Sequence, residues 1–157
     1  MWITPRRRNQ IRHRAAELTS LVGFNGQLSD ILSATERLAD VSIDMKEGDL
    51  PAGCLGVVKR VEDAVLITIS NKCATRYFTV VHEVGHILLD HNHIDSMLID
   101  YESSTSLLAT SFLNTDEQNI LMEIEEREAE IFSNDFFKFL PSAGLSHVSR
   151  QWIVSVS

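Results

Sequence analysis

Five residues, His82-Glu83-Val84-Gly85-His86, restrict the fold of this chain more than any others. Two histidines four positions apart share one face of an α-helix, so both imidazoles can reach one metal ion at about 2.0–2.1 Å if the segment is helical. Glu83, beside the first imidazole, is then positioned to take a proton from a water polarised by that ion. Two imidazoles leave a catalytic centre one protein ligand short. A second element must therefore return to this helix with a third donor.

The periodicity of the chain supplies such elements. Thr4-Pro5 has the chemistry of an N-cap and first helical position, and Ile11, Ala15, Leu18 and Leu21 follow at helical spacing up to a stop at Gly23. Leu28, Ile31, Leu32, Thr35, Leu38 and Ala39 predict a second helix over roughly 27–39. The period then changes to two. Val41, Ile43 and Met45 alternate with polar residues, and Leu55 to Lys59 and Ala64 to Ser70 are rich in β-branched residues, so three strands are expected. Helical spacing resumes with Phe78, Val81, His82, Gly85, His86 and Leu89, with Thr75 or Asn71 able to start the helix. Residues 91–114 are polar and irregular, as in a flap beside a site. Thr115-Asp116-Glu117-Gln118 has the form of a capping box, opening a long helix to about Phe139 before Pro141, and Trp152 to Val156 could dock as a final strand.

The expected fold class is α+β: a small, largely antiparallel three-stranded sheet packed against the His82–His86 helix, a long C-terminal ligand helix and N-terminal helices. A single domain is expected over 1–157, with helices in 1–40, the sheet in 41–70, the site helices in 71–141 and a tail in 142–157.

Bulk properties narrow the function classes. No apolar run approaches a membrane span, and the start, Met1 to Arg8, has no apolar stretch after its charges, so a cytoplasmic protein is expected. Cys54 and Cys73 are too few for a disulfide framework and match no zinc-ribbon spacing, which suits reduced thiols. A net charge of -8 disfavours direct nucleic-acid binding. The charge is uneven, because five of the 14 basic residues (Arg6, Arg7, Arg8, Arg12 and Arg14) fall in the first 14 positions. These arginines form either a solvated helix end or an arm for an acidic partner or nucleic acid.

On the last helix, Leu121, Ile124, Ile131, Phe132, Phe136 and Phe139 form an apolar stripe with Glu128 near its centre, while Glu123, Glu126 and Glu130 point to solvent. A carboxylate in a buried stripe is costly unless paired, and a cation pairs it. Glu128 is the expected third ligand, with Glu125 at the stripe edge as second choice. Otherwise Glu128 forms an ion pair with an arginine such as Arg76 or Arg37.

The run Phe78-Thr79-Val80-Val81-His82-Glu83-Val84-Gly85-His86-Ile87-Leu88-Leu89, followed by Glu126-Arg127-Glu128-Ala129-Glu130-Ile131-Phe132 and Leu140-Pro141, resembles the ImmA/IrrE-type metallopeptidase family. The resemblance covers roughly residues 41–141. It implies a zincin-like fold in which His82, His86 and Glu128 bind one Zn2+ ion and Glu83 is the general base. Ser133, Glu130 and the bulky Phe136-Phe137-Lys138-Phe139 depart from the family pattern, in packing more than in chemistry. The resemblance further implies a metalloendopeptidase acting on a protein partner, a separately encoded helix-turn-helix repressor, to whose basic surface an acidic body is complementary. The alternatives are a non-catalytic antirepressor or binding module, in which the metal is structural, and a toxin–antitoxin component. Tyr77, Tyr101, His91 and His93 are candidates for oxyanion support, His91 and His93 otherwise being exposed loop residues rather than auxiliary metal ligands. Asp90, Asp95 and Asp135 are candidates for orienting a ligand histidine.

Overall fold

Local chemistry opens the first helix where the sequence predicts it. Thr4 Oγ1 accepts a hydrogen bond from Arg7 N at 3.1 Å, and Pro5 sits where its missing N–H costs nothing. Helix α1 (Pro5–Val22) buries Ile11, Ala15, Leu18 and Val22 along one stripe. Helix α2 (Leu28–Ala39) ends on Asp40, which is left-handed at φ 54. Glu36 of α2 then meets the sheet, accepting a hydrogen bond from Ile43 N at 2.8 Å. The structure, a computed structural model, describes residues 3–22, 26–92 and 115–140. The expected stop at Gly23, the polar stretch beyond Asn92 and the strand at Trp152 to Val156 lie outside the described residues.

Three strands, β1 (Ser42–Gly48), β2 (Gly56–Val61) and β3 (Ala64–Ser70), pair in the order β1-β3-β2. β2 and β3 form an antiparallel hairpin with Val61 opposite Ala64. β1 runs parallel to β3, from Ser42 opposite Ala64 to Gly48 opposite Ser70. The sheet is therefore mixed rather than largely antiparallel. Side chains alternate in the same way beside a parallel or an antiparallel neighbour, so a period of two does not reveal the pairing sense. β3, the most β-branched segment, takes the centre and buries Val65, Ile67 and Ile69.

Helix α3 (Arg76–Leu88) packs on β2 and β3, on α2 and on α4 (Thr115–Phe139), while α4 also packs along α1. From Thr79 to Leu88 only His82 of α3 is not fully buried. On α4, Ala129, Phe132 and Phe136 reach the core as the stripe predicts, but Phe139 is 41% exposed. Among the described residues the architecture is α+β, four helices and a three-stranded sheet. No helix among them is long and apolar enough to cross a membrane. Both cysteines are free thiols.

Candidate metal centre

The helical segment demanded by the histidine spacing forms, without the expected cap. Thr75 stands at the N-cap but makes no side-chain capping bond; its carbonyl accepts from Thr79 N at 3.0 Å. The next turn carries His82 and His86 on one face, with ring centroids 5.0 Å apart and planes at 80°. Gly85, between them, lies against α4. A Cβ there would come 3.0 Å from Cδ1 of Phe132.

This close approach brings a carboxylate of α4 to the imidazoles, and it is Glu126 rather than Glu128. Glu126 Oε2 lies 3.1 Å from His82 Nε2, and its Oε1 lies 2.9 Å from His86 Nε2. Ligand atoms of the three residues all fall within 4.8 Å of one another. Two imidazole nitrogens and a carboxylate are a donor set that catalytic zinc takes, so the residues present fit such an ion. The floor is buried and the rim open: the His86 side chain is 1% exposed, that of His82 18% and that of Glu126 51%. The expectation that Glu126 points to solvent is half correct, since its carboxylate reaches the site from the solvent rim. Glu125, the second choice, accepts a hydrogen bond from Asn92 N at 3.1 Å.

Burial works against the charged form of all three groups, to different net effect. At Glu126 the hydrogen bonds and charges of His82 and His86 outweigh burial and hold the carboxyl well below the usual range. At His82 burial lowers the pKa, yet the hydrogen bond to Glu126 and the charges of Glu83, Glu126 and Glu130 leave it raised. At His86 burial wins, with the charges of His82 and His91 adding to it, and the pKa is lowered.

Glu83, next to His82 in the chain, is buried at 6% exposure. The first residue of β2 passes directly over it: a Cβ on Gly56 would lie 3.2 Å from Glu83 Oε1 and 2.7 Å from Thr79 Cγ2. Only a residue without a side chain lets the strand backbone come this close to the carboxylate. Cys54, in the preceding loop, feels the same charge; burial first and then Glu83 push its thiol pKa up.

Behind His86 lies an array with no counterpart in the sequence reading. Helix α3 ends in a Schellman turn. Asp90 takes the left-handed position at φ 56, Asp90 N donates to Ile87 O at 3.2 Å and His91 N donates to His86 O at 3.0 Å. That turn folds His91 back under His86, where a hydrophobic pair is the usual companion of the motif. Here the pair is two imidazoles, with His91 Nδ1 2.8 Å from His86 Nδ1. His91 is 3% exposed, so it is not an exposed loop residue. Its Nε2 lies 2.8 Å from Glu128 Oε1.

Glu128 is thus paired, as a buried carboxylate must be, but by protein groups. Arg7 Nε donates to its Oε2 at 2.8 Å and Arg7 Nη2 to its Oε1 at 2.7 Å. Burial would raise the Glu128 pKa; the bonds from Arg7 and His91 prevail and bring it to about 2. The arginine is therefore neither Arg76, which pairs with Glu47, nor Arg37. The arginine-rich start is not wholly solvated either. Arg8 pairs with Asp135, Arg14 Nε donates to Leu88 O at 3.2 Å, and Arg7 Nη2 reaches Leu89 O at 3.4 Å. Arg60 Nη2 from β2 lies 3.4 Å from the carbonyls of His86 and His91. Cations from two elements thus gather at the negative end of α3.

Of the other candidates, Tyr77 donates its hydroxyl to Gly26 O, away from the imidazoles, Asp135 is engaged by Arg8, and Asp90 is exposed. Tyr101, His93 and Asp95 lie outside the described residues. The signal that could have found His91 is the apolar run Ile87-Leu88-Leu89 ending in Asp90, a residue type that tolerates the left-handed turn. Comparison of the chain with protein-family models, curated proteins and solved structures finds no match.

Proposed function

We propose that the chain is a zinc-dependent endopeptidase, similar to the ImmA/IrrE-type metallopeptidases, that hydrolyses a peptide bond in a separately encoded helix-turn-helix repressor. The observation carrying this reading is the convergence of His82, His86 and Glu126 with the buried carboxylate of Glu83 beside them. Zinc, when held by the three residues, supplies Lewis-acid polarisation of a carbonyl and acidifies a water toward neutrality. Glu83 accepts the proton of the attacking water on a carboxylate oxygen and passes it to the leaving amine nitrogen. His86, on the floor, excludes bulk water, while the exposed edge formed by Glu126 and His82 gives a polypeptide access. The net charge of -8 favours encounter with a basic DNA-binding partner. A structural metal would have no use for a buried carboxylate next to its first ligand, which speaks against a purely binding role.

Zinc content and cleavage of a helix-turn-helix protein encoded beside this chain, in wild type and Glu83→Gln, test the reading. The variant should retain zinc and lose about 10²–10⁴ in rate. A Glu83→Gln protein with undiminished cellular effect would defeat hydrolysis as the function.

A further inference from the structure

Resting on the metal-centre reading above, we infer that His91 is a positioning residue: backed by Glu128 and Arg7, it fixes the ring of His86 with a hydrogen on Nδ1, so that Nε2 meets the ion as a lone pair. The polarity of the hydrogen-bond chain leads to this. Arg7 gives two N–H groups to Glu128, and a guanidinium accepts none, so Glu128 is a carboxylate that can only receive. His91 Nε2, 2.8 Å from that carboxylate, therefore carries a hydrogen.

One hydrogen lies between the two Nδ1 atoms, which are 2.8 Å apart, and it belongs to one ring or the other. Hydrogens on both nitrogens of His91 would add a positive charge at a residue 3% exposed. Arg7 already neutralises Glu128, the carboxylate that His91 Nε2 reaches, and Arg60 Nη2 lies 3.4 Å from the His91 carbonyl, so a second hydrogen on His91 would set a further cation among these groups. His86 is thus the donor, through Nδ1–H. Its Nε2 is left as a lone pair 2.9 Å from a Glu126 oxygen, two acceptors face to face, an arrangement that favours a cation between them. The Schellman turn at Asp90 holds the rings in register, and Arg7 ties the chain to α1. Partners of this kind set the tautomer and orientation of ligand histidines.

The test uses the full chain and zinc alone. In long-range proton–nitrogen correlation spectra of the labelled protein, His86 is expected as its Nδ1–H form and His91 as its Nε2–H form. Two hydrogens on His91, or the opposite tautomer at His86, overturns the inference. His91→Leu should weaken zinc binding about 10- to 100-fold and shift the visible bands of the cobalt-loaded protein. His91→Gln, whose amide can accept from His86 and donate to Glu128, should recover most of that loss. Equal loss in both variants at equal thermal stability would reduce His91 to packing and reject positioning. If His91→Leu does not fold, the wild-type spectra decide alone. Absence of peptide hydrolysis by a wild type whose tautomers and zinc binding are as expected defeats the proposed function and not this inference. A wild type that binds no zinc defeats both.

Discussion

Gly85 of α3 faces the ring of Phe132 on α4 so closely that a methyl group on its Cα would stand 3.0 Å from the ring. Phe132 is fully buried, so its ring gives way only by displacing core neighbours. The contact sets the spacing of the two helices that carry His82, His86 and Glu126. Gly85→Ala gains about 1 kcal/mol of helix propensity but overpacks the core by about 1–3 kcal/mol. A net loss on the order of 1 kcal/mol is expected in denaturant unfolding, with weaker zinc binding because α4 is pushed outward. Unchanged zinc affinity would mean that the helix spacing does not govern the centre.

Glu126→Ala removes a proposed ligand from a half-exposed side chain, so it should cost little stability and lower zinc affinity by more than the roughly 100-fold expected for an outer partner. Glu125→Ala, which loses the hydrogen bond from Asn92 N, should leave zinc affinity within a few fold, about 1 kcal/mol or less. Isothermal titration with zinc checks both. The reverse ranking would give the ligand role to Glu125, the second choice behind Glu128.

Gly56→Ala would set a methyl group 2.7 Å from Thr79 Cγ2 and 3.2 Å from Glu83 Oε1. Displacing Glu83, the proposed general base, by about 1 Å can cost about 10²-fold. Turnover should fall by one to two orders of magnitude, about 10- to 100-fold, while zinc content stays at wild-type level. Full activity in this variant would show that the base lies elsewhere.

Burial pushes the Tyr77 phenol up to about 12. The unfolded chain releases this proton near pH 10, as an ordinary tyrosine does, so the folded state holds more protons between the two values. Tyr77 therefore contributes fully below about pH 10 and its contribution, on the order of 2 kcal/mol, is lost as pH rises toward 12. One of the two tyrosines in the chain should titrate late, together with loss of far-ultraviolet circular dichroism. Two phenols ionising near 10 in a still folded protein would contradict this.

Much of the framework was legible because it depends on near neighbours. The β-branched richness of Ala64 to Ser70 gave β3 to the residue, Thr4-Pro5 gave the start of α1, and the spacing of His82 and His86 required the helix that forms. The third donor was not legible in the same way. A helical wheel ranks positions by burial, and α4 lies between α1 and α3, so its most buried glutamate, Glu128, faces Arg7 and His91. A ligand in an open centre sits at the rim instead, half exposed, where the wheel reads solvent.

Among the described residues the sequence by itself determined which segments are helix or strand, that two imidazoles would share a helix face with Glu83 beside them, and that a buried Glu128 needed a partner. Tertiary structure alone decided that Glu126 reaches the imidazoles, that β1 runs parallel to β3, and that Arg7 and His91 complete Glu128. The physical reason is range. Periodicity and capping are set by residues within about one turn of each other, whereas Arg7 and Glu128, 121 positions apart, meet only when two helices have packed.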